Sequence, residues 1–144
     1  MQKRYRVMLW VTLIGVVLLV MGISLSAQIT KGQTRAAATK YLMRAVNQPM
    51  CAGLDASLKG SGPADEKAWD TAMCQASVLN EMGYLLMEDG RCPDAAWANA
   101  AKELKEGSAS VLAALEKKDL EAARASFKTV TGACGACHKA HKNK

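Results

Sequence analysis

Residues 119–141 read DLEAARASFKTVTGACGACHKAH, and their spacing decides the fold. Leu120, Ala123, Phe127, Val130, Cys134, Cys137 and His141 alternate steps of three and four, so they share one face of an α-helix. Asp119 stands just ahead of them, where its carboxylate can accept a free N–H of the first turn. No period-two alternation runs through the stretch, which excludes a strand. A helix with one apolar stripe needs partners to cover it.

The chain upstream supplies three. Pro93 and Asp94 open a segment whose stripe is Trp97, Ala101, Leu104, Ser108, Val111 and Leu115. Before it, Pro63 with Asp65 and Glu66 makes a helix start. Trp69, Ala72, Ala76, Leu79, Gly83 and Leu86 then share a face that ends near Asp89-Gly90. The earliest segment, from about residue 36 to residue 59, carries Met43, Val46, Met50, Leu54 and Leu58 at helical spacing. Pro49 interrupts it and is expected to bend it. Gly60-Ser61-Gly62-Pro63 breaks the chain before the second helix. Short connections between helices of similar length predict an all-α, antiparallel four-helix bundle over residues 36–144. Only seven aromatic residues occur among 144, which disfavours a β-sandwich. No nucleotide-binding glycine motif or internal repeat is present.

Residues 1–30 read differently. No charge occurs between Arg6 and Lys31, and residues 7–25 are almost all apolar, close to the roughly 20 residues that cross a bilayer core. Lys3, Arg4 and Arg6 ahead of the run place the N-terminus in the cytoplasm. The segment is expected to be an N-terminal transmembrane helix that tethers the chain on the periplasmic side of a bacterial cytoplasmic membrane. A cleaved signal peptide, with Ser24, Ser26 and Ala27 near the cleavage point, is the alternative, and it would leave a soluble periplasmic protein. Residues 31–35 then form a polar linker. The net charge of +6 is split between the two ends of the chain, which argues against nucleic-acid binding.

Cys134-Gly135-Ala136-Cys137-His138 is a C-x-x-C-H sequence, the attachment signature of c-type haem. The spacing follows from the chemistry. Two thiols add to the two vinyl groups of the porphyrin, and the adjacent imidazole reaches the iron as an axial ligand. A thioredoxin-like pair would sit at a helix N-terminus, whereas this one closes a helix. A zinc site drawn from Cys134, Cys137, His138 and His141 lacks a second cluster of paired ligands.

An exported four-helix bundle with C-x-x-C-H near the end of its last helix resembles the class II c-type cytochromes, the cytochrome c-prime type. The resemblance covers about three quarters of the chain. It implies one covalent haem c, with Cys134 and Cys137 as thioether positions and His138 as the axial ligand. Members of the class carry electrons when a Met completes the iron and bind gases when the distal side is open. In an up-down-up-down bundle the end of helix four is level with the start of helix one. His138 therefore falls level with residues 39–43, while Met50 lies about 10 Å further down at 1.5 Å per residue. Met43 is accordingly the candidate distal ligand, and the residues around it resemble the first helix of six-coordinate members. Tyr84 and Met87, ending helix two at the same level, are candidates to line the haem. Class resemblance also makes a homodimer an expectation.

Three cysteines remain. Cys51 and Cys74 are almost equally distant from the turn at Gly62, which makes them candidates for an inter-helix disulfide, with buried free thiols as the alternative. Cys92 lies in the loop before Pro93. His141 would pack at the haem edge, and Lys139, Lys142 and Lys144 would steer an acidic redox partner. No convincing set of catalytic acid, base and nucleophile is present, so the expectation is an electron carrier rather than an enzyme. A five-coordinate protein binding nitric oxide or carbon monoxide, and a non-haem module stabilised by zinc or a disulfide, are the alternatives.

Overall fold

Three aspartates start three helices. The side chains of Asp65, Asp94 and Asp119 accept hydrogen bonds from the backbone N–H groups of Ala68, Trp97 and Ala122, at 2.8, 2.9 and 2.9 Å. Each satisfies one orphan donor of a first turn. The computed structural model describes residues 32–142. The expected membrane anchor or signal segment, residues 1–30, lies outside the described residues. Among the described residues no helix is long and apolar enough to cross a membrane.

The described chain is all-helical and forms a bundle. Helix α1 is continuous in three stretches, α-helical over Thr39–Leu42, π-helical over Met43–Asn47 and α-helical over Gln48–Leu58. Helices α2 (Glu66–Leu85), α3 (Ala95–Glu116) and α4 (Leu120–His141) follow. Each packs on its neighbour in sequence, and α1 closes the ring against α4. The apolar stripes meet inside: Ala72, Ala76 and Leu79 of α2, Leu104, Val111 and Leu115 of α3, and Ala123, Phe127 and Val130 of α4 are all buried. Arg124, at the start of α4, donates from Nε to the Leu58 carbonyl at 2.8 Å and from Nη2 to Gly60. That bond ties the foot of α4 to the end of α1 and makes the pair antiparallel.

Small residues set the spacing. A Cβ on Gly83 would lie 2.8 Å from the backbone nitrogen of Lys105, so α2 and α3 touch backbone to backbone there. Asn80 fastens the same crossing, its amide donating to the Lys105 carbonyl at 2.7 Å.

The structure revises the reading of α1. Pro49 does not simply bend it. Its missing N–H and bulky ring are incompatible with a regular turn onto the carbonyl of Ala45. The helix widens instead, and the N–H of Gln48 reaches back five residues to the Met43 carbonyl. The extra residue in that turn rotates the helix, so Asn47 is buried, at 7% exposure, while the expected core residue Val46 is only partly covered.

Residues 33–35 are also more than a linker. Asp89 adopts a left-handed conformation, φ 59°. Its carboxylate accepts from the N–H and hydroxyl of Thr34, at 2.9 and 2.7 Å, and from the N–H of Arg35 at 3.0 Å. Arg91, 1% exposed, donates to the Ala37 carbonyl at 2.9 Å and to the Thr39 hydroxyl at 3.1 Å. The α2–α3 loop thus fixes the point where the chain enters α1.

Candidate functional site

The last two turns of α4 carry Cys134, Cys137 and His138, and the antiparallel pairing brings them level with the start of α1. Between α1 and α4 lies an open cleft of about 810 Å³, lined by Met43, Asn47, Cys51, Phe127, Cys134 and His138 among others. That volume falls within the range of small-molecule and cofactor sites. Behind it is an apolar void of about 20 Å³ lined by Met43, Asn47, Leu86, Trp97, Cys134 and Cys137 among others. Met43, Asn47 and Cys134 line both spaces and form the wall between them. The π turn opposes the motif across this wall.

Electrostatics favour the neutral forms of His138, Cys134 and Cys137 and the ionised form of Cys51. Partial burial and the nearby Lys142 ammonium both lower the His138 pKa, which keeps the imidazole unprotonated and able to bind a metal through nitrogen. Burial raises the Cys137 thiol, and the charge of Asp94 adds to it. The Cys51 and Cys134 thiols act on each other, which lowers Cys51 to about 7 and raises Cys134, with burial, well above the usual thiol value. A Cβ on Gly132 or Gly135 would meet nothing within 4 Å, so the α4 surface beside the two cysteines is bare.

This donor set fits a c-type haem. Two thiols three residues apart and a neutral imidazole could hold the ring covalently and ligate the iron, with the Met43 thioether on the same cleft as His138. The other expected site residues lie elsewhere. Tyr84 and Met87 are 51% and 42% exposed, and neither lines the cleft or the void. Tyr84 is on the outer side of α2, beneath the Lys105 ammonium at 4.9 Å. Leu86, next after Gly83 on the inward stripe and still helical in its backbone angles, is the residue at the end of α2 that lines the void. Cys51 and Cys74 are not bonded to each other. Gly53, roughly opposite Cys51 around the helix, is the residue that meets Gln75 of α2, so Cys51 faces α4 and Cys74 is exposed.

His141 parts from His138. Its side chain, 7% exposed, stands edge-on to the Trp97 ring with centroids 5.4 Å apart, and its Nε2 lies 3.5 Å from an Asp94 carboxylate oxygen. His138 therefore lines the cleft, whereas His141 packs on Trp97 of α3. Among the described residues no three His, Cys, Asp or Glu side chains are grouped to hold a metal ion between them. Asn47 was missed by the sequence reading, since its burial depends on the π turn. Its amide oxygen is buried without a hydrogen-bond partner beside Met43. Comparison with protein families, curated proteins and solved structures finds no match to this chain.

Proposed function

We propose that this chain is an exported c-type haem protein that carries single electrons, similar to the class II c-type cytochromes. The observation that carries the proposal is that Cys134, His138 and Met43 line one cleft, with Cys137 on the void behind the wall that Met43 and Cys134 share. Cys134 and Cys137 hold the haem covalently, His138 binds its iron and Met43 completes the coordination. When bound, the haem supplies reversible one-electron chemistry between ferric and ferrous iron. The residues of the chain do the rest. Neutral His138 donates its nitrogen without first losing a proton, and the apolar wall around Leu86, Trp97 and Leu104 excludes water, which raises the potential. The N-terminal segment tethers the bundle on the periplasmic side of the membrane, and partner redox proteins and a homodimer belong to the same reading. No catalytic acid, base or nucleophile is needed.

A second reading, a five-coordinate haem protein that binds nitric oxide or carbon monoxide, is favoured by Asn47. A buried amide oxygen with no partner beside the distal position is costly, and its amide group would stabilise a polar ligand or water there. One optical spectrum of the full chain produced with haem-attachment machinery decides between them. A low-spin spectrum with a weak sulfur-to-iron band is the expected result. High-spin ferric bands would favour the open site, and no Soret absorbance would overturn both.

A further inference from the structure

We infer that Cys51 and Cys134 form a cross-helix thiol pair that closes to a disulfide in the haem-free chain, clasping α1 to α4 and withholding Cys134 from haem attachment. The bond itself stands on the cleft the two thiols share and on their mutual influence, independently of haem; its consequence for attachment rests on the haem reading.

The two thiols come from antiparallel neighbours and line one cleft. Both are free, and each acts directly on the ionisation of the other. Cys137 shares the inner void with Cys134 but belongs to the same helix, and the other two cysteines are turned elsewhere. Cys137 lines the inner void and feels Asp94, Cys74 is exposed on α2, and the Cys92 thiol is bonded to the Asp94 carbonyl at 3.5 Å. A bond within Cys134-x-x-Cys137 would link two residues of one helix and restrain nothing between helices. A bond from Cys51 to Cys134 would fix the two walls of the cleft against each other.

The chemistry is thiol–disulfide exchange with an external disulfide, such as oxidised glutathione. The Cys134 proton supports Cys51 as a thiolate near neutral pH, so Cys51 is the attacking sulfur. It attacks the oxidant disulfide, forms a mixed disulfide and releases one thiolate. With Cys51 capped, the negative charge that held the Cys134 proton is gone. Cys134 loses that proton, attacks the Cys51 sulfur and releases the second thiolate. Two protein thiols and one oxidant disulfide give one protein disulfide and two small thiols. A chain in that state has only Cys137 for a thioether until it is reduced.

The test uses the full chain purified without haem, reduced, treated with oxidised glutathione, and alkylated before peptide mass mapping. The expected product is a pair of peptides joined through Cys51 and Cys134, two hydrogens lighter than the free pair. Cys51→Ser should abolish it and Cys74→Ser should leave it unchanged. A predominant Cys134–Cys137 or Cys51–Cys74 link, or a Cys51 that stays as a glutathione adduct, would overturn the pairing. Haem loading is then read as haem mass retained on the denatured chain. Oxidised wild type should retain well under half of what the reduced chain retains, held through Cys137 alone, and dithiothreitol should restore the full amount. If the cross-link forms but neither redox state takes haem, the attachment consequence and the haem reading fail while the pair stands. If haem attaches to a chain that never forms the cross-link, the pair fails and the haem reading stands.

Discussion

Replacing Trp97 by Phe removes one hydrogen bond at the joint between fold and site. The indole nitrogen donates to the Leu86 carbonyl at 2.7 Å in a buried position, and Trp97 is 4% exposed. Leu86 follows the last residue of α2, so its carbonyl is one of those a helix end leaves without an internal partner. Phenylalanine keeps an apolar ring against the core but cannot donate. A buried acceptor left unsatisfied costs about 1–3 kcal/mol. The smaller ring also leaves a void next to Ala100, Ala101 and Ala133, which line the same space, and a void of that kind adds about 1 kcal/mol. The expected loss is thus about 2–4 kcal/mol, a large share of the stability of a domain this size. Urea unfolding followed by far-ultraviolet circular dichroism measures it without relying on the lost indole. With a slope of about 2 kcal/mol per molar, the midpoint should fall by about 1–2 M at unchanged slope. A loss below about 0.5 kcal/mol, the range of ordinary surface substitutions, would refute the assignment of Trp97 as the cap of α2.

Three further outcomes are expected. In the haem-loaded protein, Met43→Ala should convert a low-spin spectrum to high spin, and an unchanged spectrum would dismiss Met43 as a ligand. Gly83→Ala must push Lys105 backbone away, a cost of about 1–3 kcal/mol that outweighs the helix-propensity gain of about 1. Gly107→Ala, whose nearest contact would be a Val130 methyl at 3.1 Å, should be milder, and the reverse order in thermal unfolding would contradict the crossing geometry. Asp89 is held below the usual aspartate pKa by the Thr34 hydroxyl first, then by the N–H groups of Arg35 and Thr34. Its contribution is therefore present above the unfolded value of 3.8 and fades as pH falls through the lower folded value. The Thr34 and Arg35 amide resonances should titrate below pH 3.8; a midpoint at or above it would show that the segment is not docked.

Much of this was legible in the residues. Asp65, Asp94 and Asp119 announce helix starts because local chemistry alone makes an aspartate a good cap. The stripes of α2, α3 and α4 are read correctly because each helix is regular, so spacing in sequence is rotation in space. That logic fails in α1, where a single widened turn moves burial from Val46 to Asn47. Proline predicts a disturbance but not its form, since a bend and a wider turn both relieve the missing donor. Equal distance from the Gly62 turn placed Cys51 and Cys74 at one height but said nothing of rotation, and rotation turned Cys51 towards α4. The docking of residues 33–35 rests on a left-handed Asp89 and on contacts 54 and 55 residues apart, which no local pattern encodes.

The scarcity of aromatic residues takes on a different meaning with the helices in place. Side chains as small as Ala100, Ala101 and Ala133 suggest a bundle end left hollow, to be filled by a large flat group. The void there is only about 20 Å³, near the size of one water, because glycines and alanines let the helices close on each other. The missing bulk reappears outside the wall, as the cleft between α1 and α4. What keeps that cleft open is the course of α1, held from two sides. Asp89 and Arg91 pin the chain just before Thr39, and Pro49 enforces the wide turn just after Met43. Between these restraints the helix has little freedom to settle onto α4, and Met43 faces His138 across a gap instead of packing against it. A regular α1 would bury Val46 and close inward; the π turn leaves a thioether, an amide and a thiol facing the motif.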